Sequence, residues 1–207
     1  QSSEEDIIYF EAYKDFFKTF FNTLSLDSMY VVGNSLGGAM AYMIAVENPK
    51  RVKKLVLLNS AGYELDKVIR KGAGPLRWNW FRPFMERGAP MFIVKEMVSF
   101  PFADRSKVDE TEFPFDFALI NREDNLGALF DMATSRQYPD TTLVTKVQCP
   151  TLVLWGKEDV IIPVRHADKF KRDLPDSRVK IYSPCGHMPM MEIPDSVYRD
   201  FMIFVRE

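Results

Sequence analysis

Ser35 stands in the run Gly33-Asn34-Ser35-Leu36-Gly37, a G-x-S-x-G pattern. In that pattern the serine occupies a strained turn from strand to helix and projects its hydroxyl beyond the sheet edge, where it can attack a carbonyl. The glycines on either side are expected for steric reasons, because a side chain there would meet the neighbouring strand or the helix packed behind the turn. With glycine at about 7% of residues, roughly one chain in fifteen of this length carries such a match by chance. Placement supplies the support: the β-rich run Met29 to Val32 directly precedes it, and an Ala- and Met-rich stretch, Leu36 to Val46, directly follows.

A serine hydroxyl is a poor nucleophile until a base takes its proton. The chain has two histidines. His187, in Cys185-Gly186-His187-Met188, follows an apolar run ending near Tyr182, so a parallel sheet brings it to the same edge as Ser35. His166 lies among charged neighbours in a helical pattern and reads as a solvated surface residue. The base in turn needs a carboxylate to hold its tautomer and stabilise the imidazolium. Asp159, in Gly156-Lys157-Glu158-Asp159-Val160, follows the run ending at Trp155 and completes the order Ser, Asp, His. Its neighbour Glu158 is the alternative. The end of the preceding strand reads Leu57-Leu58-Asn59-Ser60, and a neutral amide there cannot take the acid's part.

The elements that must position these residues alternate. An amphipathic helix spans about Glu5 to Leu24, with Ile7, Ile8, Phe10, Phe16, Phe17, Phe20, Phe21 and Leu24 at helical spacing. Four short apolar runs, Met29 to Val32, Lys54 to Leu58, Thr151 to Trp155 and Val179 to Tyr182, read as buried parallel strands. Helical patterns at Leu36 to Val46, Val164 to Leu174 and about Val197 to Val205 lie between or after them, which predicts an α/β fold with a mainly parallel sheet and helices on both faces. Between Gly62 and about Thr141 the alternation breaks. That segment carries Trp78, Trp80, Phe81, Phe84, Phe92, Phe100, Phe102, Phe113, Phe115, Phe117 and Phe130, and it reads as an inserted helical cap. The core is expected from residues 1–63 and 138–207, the cap from 64–137. Most of the cap's rings are expected to pack on one another, since a small insertion needs buried area of its own; the rest would roof an apolar pocket.

Taken together, Gly33-Asn34-Ser35-Leu36-Gly37-Gly38, Leu57 to Tyr63, Trp155 to Asp159 with Pro163, and Cys185 to Pro189 with Glu192-Ile193-Pro194 resemble the α/β-hydrolase superfamily over residues 30 to 194. The resemblance is to its capped carboxylesterases and lipase-like esterases, with the carbon-carbon bond hydrolases of aromatic-ring breakdown as near relatives. It implies Ser35, Asp159 and His187 as catalytic residues and a carboxylesterase acting on apolar acyl esters through an acyl-enzyme, without cofactor or metal. Carbon-carbon bond hydrolysis is the alternative, and a non-catalytic small-molecule-binding module on the same fold is a third reading. Serine rather than aspartate at the turn separates the chain from the dehalogenase and epoxide hydrolase branches. The superfamily also carries strands before the helix that here begins near Glu5, with a loop supplying half of the oxyanion hole. This chain has neither, so the backbone N–H of Leu36 is the expected donor, and the expectation is a fragment or one part of a cleaved protein, with a minimal hydrolase that folds without those strands as the alternative. Without those strands, the strand before Ser35 would be an uncovered apolar edge.

Composition narrows the partners. Of the 207 residues, 46% are hydrophobic and 27% charged, as in ordinary folded domains, which sets aside disorder and coiled coil. Lys plus Arg number 27 against 29 Asp plus Glu, with no basic tract, so nucleic acid is not an expected partner. The most apolar stretch, Tyr30 to Val46, falls short of the ~20 residues a spanning helix needs. Two cysteines cannot build a disulfide framework and favour a reducing, cytoplasmic setting. Cys149 before one strand and Cys185 after its neighbour fall at opposite sheet edges, so both are expected as free thiols.

Overall fold

The computed structural model describes residues 4–64, 83, 87–134 and 140–207. Four parallel strands form one sheet: β1 (Met29–Asn34), β2 (Val52–Leu58), β3 (Thr151–Gly156) and β4 (Ser177–Tyr182), side by side in sequence order. Each begins or ends within about two residues of its sequence expectation. The strands end in step, with Asn34 beside Leu58, Leu58 beside Leu154, and Gly156 beside Tyr182. The residues that follow them therefore gather at one rim.

Side chains alternate across a strand, and both faces of the central strands β2 and β3 are covered. Leu55, Leu57, Val153 and Trp155 face helices α1 (Glu4–Thr23), α2 (Leu36–Glu47) and, downstream, Arg165–Asp173. Val56, Leu58, Leu152 and Leu154 face the C-terminal helix Pro194–Arg206, through Phe204 and its neighbours. Burial on both sides explains why β2 and β3 read as nearly continuous apolar runs, whereas the outer strand β4, Ser177-Arg178-Val179-Lys180-Ile181-Tyr182, alternates and leaves Arg178, Lys180 and Ile181 exposed. On the face that the C-terminal helix covers further along, β1 leaves Tyr30 and Val32 exposed; on the other face α1 exposes Phe16 and Phe20, and Leu24 just after it is exposed as well. The uncovered apolar edge expected at β1 is thus present among the described residues.

Between β2 and β3 the described chain is helical: α3 (Met91–Ser99), α4 (Phe113–Ile120) and α5 (Asn125–Thr134), with short 3-10 turns at Arg105–Lys107, Glu110–Glu112 and Thr141–Lys146. Ala89, Val94, Leu126 and Phe130 form a local core with Phe117 packed against it. Phe102 and Phe113 are also buried, whereas Phe92, Phe100 and Phe115 are exposed. Trp78, Trp80, Phe81 and Phe84 lie outside the described residues. After β3 come α6 (Arg165–Asp173), β4, the short α7 (Pro189–Glu192) and α8 (Pro194–Arg206).

Candidate active site

Ser35 is the single residue between β1 and α2, with φ 54° and ψ −123°. A residue with a Cβ in this region carries about 1–3 kcal/mol of strain and persists only when its surroundings fix it. Here they do: Ser35 N–H donates to Leu58 O at 3.1 Å, and Ser35 O accepts from Ala61 at 2.8 Å and from Gly38 at 3.0 Å. Its side chain makes no capping hydrogen bond, so the hydroxyl is not used up in closing the helix. The turn leaves no room at Gly33, where a Cβ would lie 2.2 Å from Gly37 O. The expected requirement at Gly37 is not met, because a Cβ there would touch nothing within 4 Å. The close approach behind the turn falls instead on Gly38, whose Cβ would lie 2.2 Å from Ser60 Oγ. Gly37 sits on the exposed side of the first helical turn and Gly38 on the side facing β2, one residue and about 100° further round.

His187 follows β4 at the same rim. Its Nδ1 lies 2.7 Å from Asp159 Oδ2, and both side chains are buried. Asp159 Oδ1 accepts from the backbone N–H groups of Ile161 (2.7 Å) and Ile162 (2.9 Å), while Oδ2 also accepts from Asn59 Nδ2 at 2.6 Å. Facing a carboxylate already surrounded by donors, Nδ1 carries the imidazole proton, and Nε2 is the nitrogen left to accept one. Asn34, the residue before Ser35, donates from Nδ2 to His187 O at 3.1 Å and to Leu58 O at 3.1 Å. The serine turn and the histidine turn are therefore stapled together directly. Leu36 is the first residue of α2, where helix geometry leaves N–H groups without intrahelical partners and the macrodipole is positive.

Glu158 turns the other way, accepting from Ser183 Oγ at 2.7 Å and Cys185 N–H at 2.8 Å. Desolvation pushes its carboxyl up, yet those bonds outweigh it and hold the group below the usual carboxylate range. His166 is not a solvated residue. It is buried on α6 beside Ala167 and Phe170, with its ring edge-on to Tyr63 at 5.9 Å. Phe170, four residues on, shares its helix face and draws that face inward despite the charged neighbours. Cys149 and Cys185 are both free and buried. Burial first, then the Glu192, Glu158 and Asp159 carboxylates, push the Cys185 thiol up to about 12, which keeps it protonated and unreactive.

Two residues at this rim were missed. Asn59 holds Asp159, donating to its Oδ2 and, at 3.3 Å, to Gly186 O, while Gly156 N–H donates to Asn59 Oδ1 at 3.3 Å. The available signal in the sequence was a polar amide directly after the apolar run Leu55 to Leu58; in the structure it is fully buried with φ 43°. Glu192, five residues after His187, is also buried, and its carboxylate accepts from Gly186, Ala103 and Asp104.

A parallel α/β sheet with a serine turn, an imidazole and a carboxylate at one rim defines the class. The chain belongs to the alpha/beta hydrolase fold family, whose model matches residues 3–194. It is 25% identical over 196 residues to the 2-hydroxy-6-oxononadienedioate/2-hydroxy-6-oxononatrienedioate hydrolase 2 of Pseudomonas putida, covering 91% of this chain and 66% of that protein. Its fold matches the 2-hydroxy-6-oxo-6-phenylhexa-2,4-dienoate hydrolase of Rhodococcus sp. strain RHA1 with a TM-score of 0.72 at 19% identity, over 90% of this chain and 67% of that one. It matches a thermophilic esterase from Thermogutta terrifontis with a TM-score of 0.68 at 24% identity, over 90% and 68%. The chain spans about two thirds of the length of the curated relatives it matches, 66%, 67% and 64% for three of them. No described helix is long and apolar enough to cross a membrane.

Proposed function

We propose that this chain carries the catalytic residues of a serine hydrolase, with Ser35 as nucleophile, His187 as general base and acid, and Asp159 orienting His187. The observation that carries it is the pair of contacts joining the three positions: His187 Nδ1 on Asp159 at 2.7 Å, and Asn34, the neighbour of Ser35, on His187 O at 3.1 Å. Ser35 Oγ attacks a substrate carbonyl as His187 Nε2 takes its proton, and the imidazolium that forms faces the Asp159 carboxylate. The Leu36 N–H, at the positive end of α2, donates to the oxyanion; one such donor typically contributes about 10²- to 10³-fold in rate. His187 then protonates the leaving group, and water, deprotonated by the same imidazole, releases the acyl group from Ser35.

For the bond cleaved, the relatives' names support carbon-carbon bond hydrolysis of a 2-hydroxy-6-oxo-dienoate, the product class of aromatic-ring cleavage. The apolar ester, put first on the sequence, is the second reading and is supported by the fold likeness to an esterase. Both use the same attack on a carbonyl and differ in whether His187 protonates a carbon or an alcohol oxygen. The His187–Asp159 contact and the Asn34 tie between the serine and histidine turns support turnover over a binding-only role. The test is a paired assay of the full chain on a 2-hydroxy-6-oxo-6-phenylhexa-2,4-dienoate and a short p-nitrophenyl ester. Ser35→Ala is expected to remove turnover of both and labelling by a fluorophosphonate. Wild-type rates in Ser35→Ala would overturn the reading, and the substrate with the larger kcat/KM in the parent assigns the bond.

A further inference from the structure

The segment Pro101 to Asp104, just beyond α3, lies against the turn that carries His187. His187 N–H donates to Pro101 O at 2.8 Å. A Cβ on Gly186 would stand 2.4 Å from Pro101 O, 2.6 Å from Ala103 N and 2.9 Å from Glu192 Oε1, so the two backbones touch with no side chain between them. Glu192 closes the ring. Its Oε1 accepts from Gly186 N–H at 2.8 Å, and its Oε2 accepts from Ala103 N–H at 3.0 Å and Asp104 N–H at 3.2 Å. The far end of the strap is fixed in its turn, since the Asp104 carboxylate accepts from Ser106 N–H at 3.0 Å and Ser106 Oγ at 2.7 Å.

Burying a carboxylate costs several kcal/mol unless its oxygens are well supplied with donors. Here the donors come from two segments distant in sequence, and one of them belongs to the residue immediately before His187. Removing the carboxylate would leave three N–H groups to find other partners and would free the base-bearing turn to move relative to the strap. We propose that Glu192 is a positioning residue for His187: by bonding Gly186 with one oxygen and Ala103 and Asp104 with the other, it holds the base-bearing turn on the 101–104 strap, with the imidazole set on Asp159. The inference rests on the reading of His187 as the catalytic base. It adds that the helical segment between β2 and β3 is mechanically tied to that base, so a displacement of the strap is passed to Gly186 and His187.

The test uses the full chain labelled with [13Cε1]-histidine. Two histidines give two ring signals, His187 at the site and His166 in the core as an internal control of folding. Glu192→Gln turns one acceptor oxygen into a donor and so opposes the N–H groups on one side of the ring. Glu192→Asp keeps the charge but gives up about 1.5 Å of reach. Both are expected to leave the His166 signal in place and to shift or broaden that of His187. Both should lower kcat per fluorophosphonate-titratable serine about 10- to 100-fold with KM within about twofold, as misplacement of a reacting group by ~1 Å does. Folded variants with a wild-type His187 signal and wild-type kcat per titratable serine would overturn the proposal. So would a loss of titratable serines with unchanged kcat for the remainder, which marks a stability role alone. If Ser35→Ala kept its turnover, the reaction reading would fail by itself, and the His187 signal would still decide the role of Glu192.

Discussion

Replacing Asn59 by aspartate probes the site's geometry with a charge. The Asn59 amide donates to Asp159 Oδ2 at 2.6 Å, and both side chains are buried. Asn59→Asp exchanges this donor for a second carboxyl at the same place. Two carboxylate charges at that separation repel by about 6 kcal/mol at an effective dielectric constant of ~20. Keeping a proton on the introduced carboxyl to pH 7 means raising it about three units above its ordinary value, which takes about 4 kcal/mol. The repulsion exceeds this, so the introduced group stays protonated at neutral pH and donates where the amide did. The folded variant then holds a proton that the unfolded chain releases above about pH 4, and a folded-state pKa raised in this way makes stability fall as pH rises. The loss relative to the parent is about 1.4 kcal/mol per pH unit between roughly pH 4 and 7. Urea denaturation of parent and variant at pH 5 and pH 7 reads it directly, with the gap between the two proteins expected to widen by about 2–3 kcal/mol. A gap of equal size at both pH values would refute either the 2.6 Å contact or its shielding from water.

The serine turn supplies further expectations. Gly33→Ala places a Cβ 2.2 Å from Gly37 O and 2.7 Å from Gly38 N, against backbone that cannot yield without moving α2. Its loss of stability is expected at about 3 kcal/mol or more. Gly37→Ala meets open space inside a helix and is expected to gain about 0.5–1 kcal/mol; equal effects at the two glycines in urea denaturation would contradict the asymmetry. Ser35→Gly removes the Cβ that makes φ 54° unfavourable, whereas Ser35→Ala keeps it. The glycine variant should be the more stable of these two proteins by about 1–2 kcal/mol in the same assay.

What the chain's own order declares is local. The β-rich run, the Gly33-Asn34-Ser35 turn and the helix after it are legible because strand propensity, a missing side chain and helix propensity act between neighbours. The apolar runs at β2 and β3 are legible for a similar reason, since strands buried on both faces need no polar partner in the sequence, while β4 alternates polar and apolar residues at the sheet's edge. The order Ser35, Asp159, His187 then follows from parallel strands ending together. Local pattern misled at His166, where charged neighbours masked a helix face set by Phe170, and at Gly37, where the tight contact belongs to Gly38 because β2 lies on that side.

Tertiary structure alone decided the parts that hold the site still. Asn59 reaches Asp159 across 100 positions, Asn34 reaches His187 across 153, and Glu192 reaches Ala103 across 89. Hydrogen bonds of that span leave no periodicity in the sequence, because each partner's type is set by the atom opposite it in space. An amide that looked too neutral to serve as a catalytic carboxylate became the donor that holds Asp159. A glutamate five residues beyond His187 ties the turn that carries it to the helical segment, because the β3 and β4 turns and the 101–104 strap meet at one rim only when the sheet is folded.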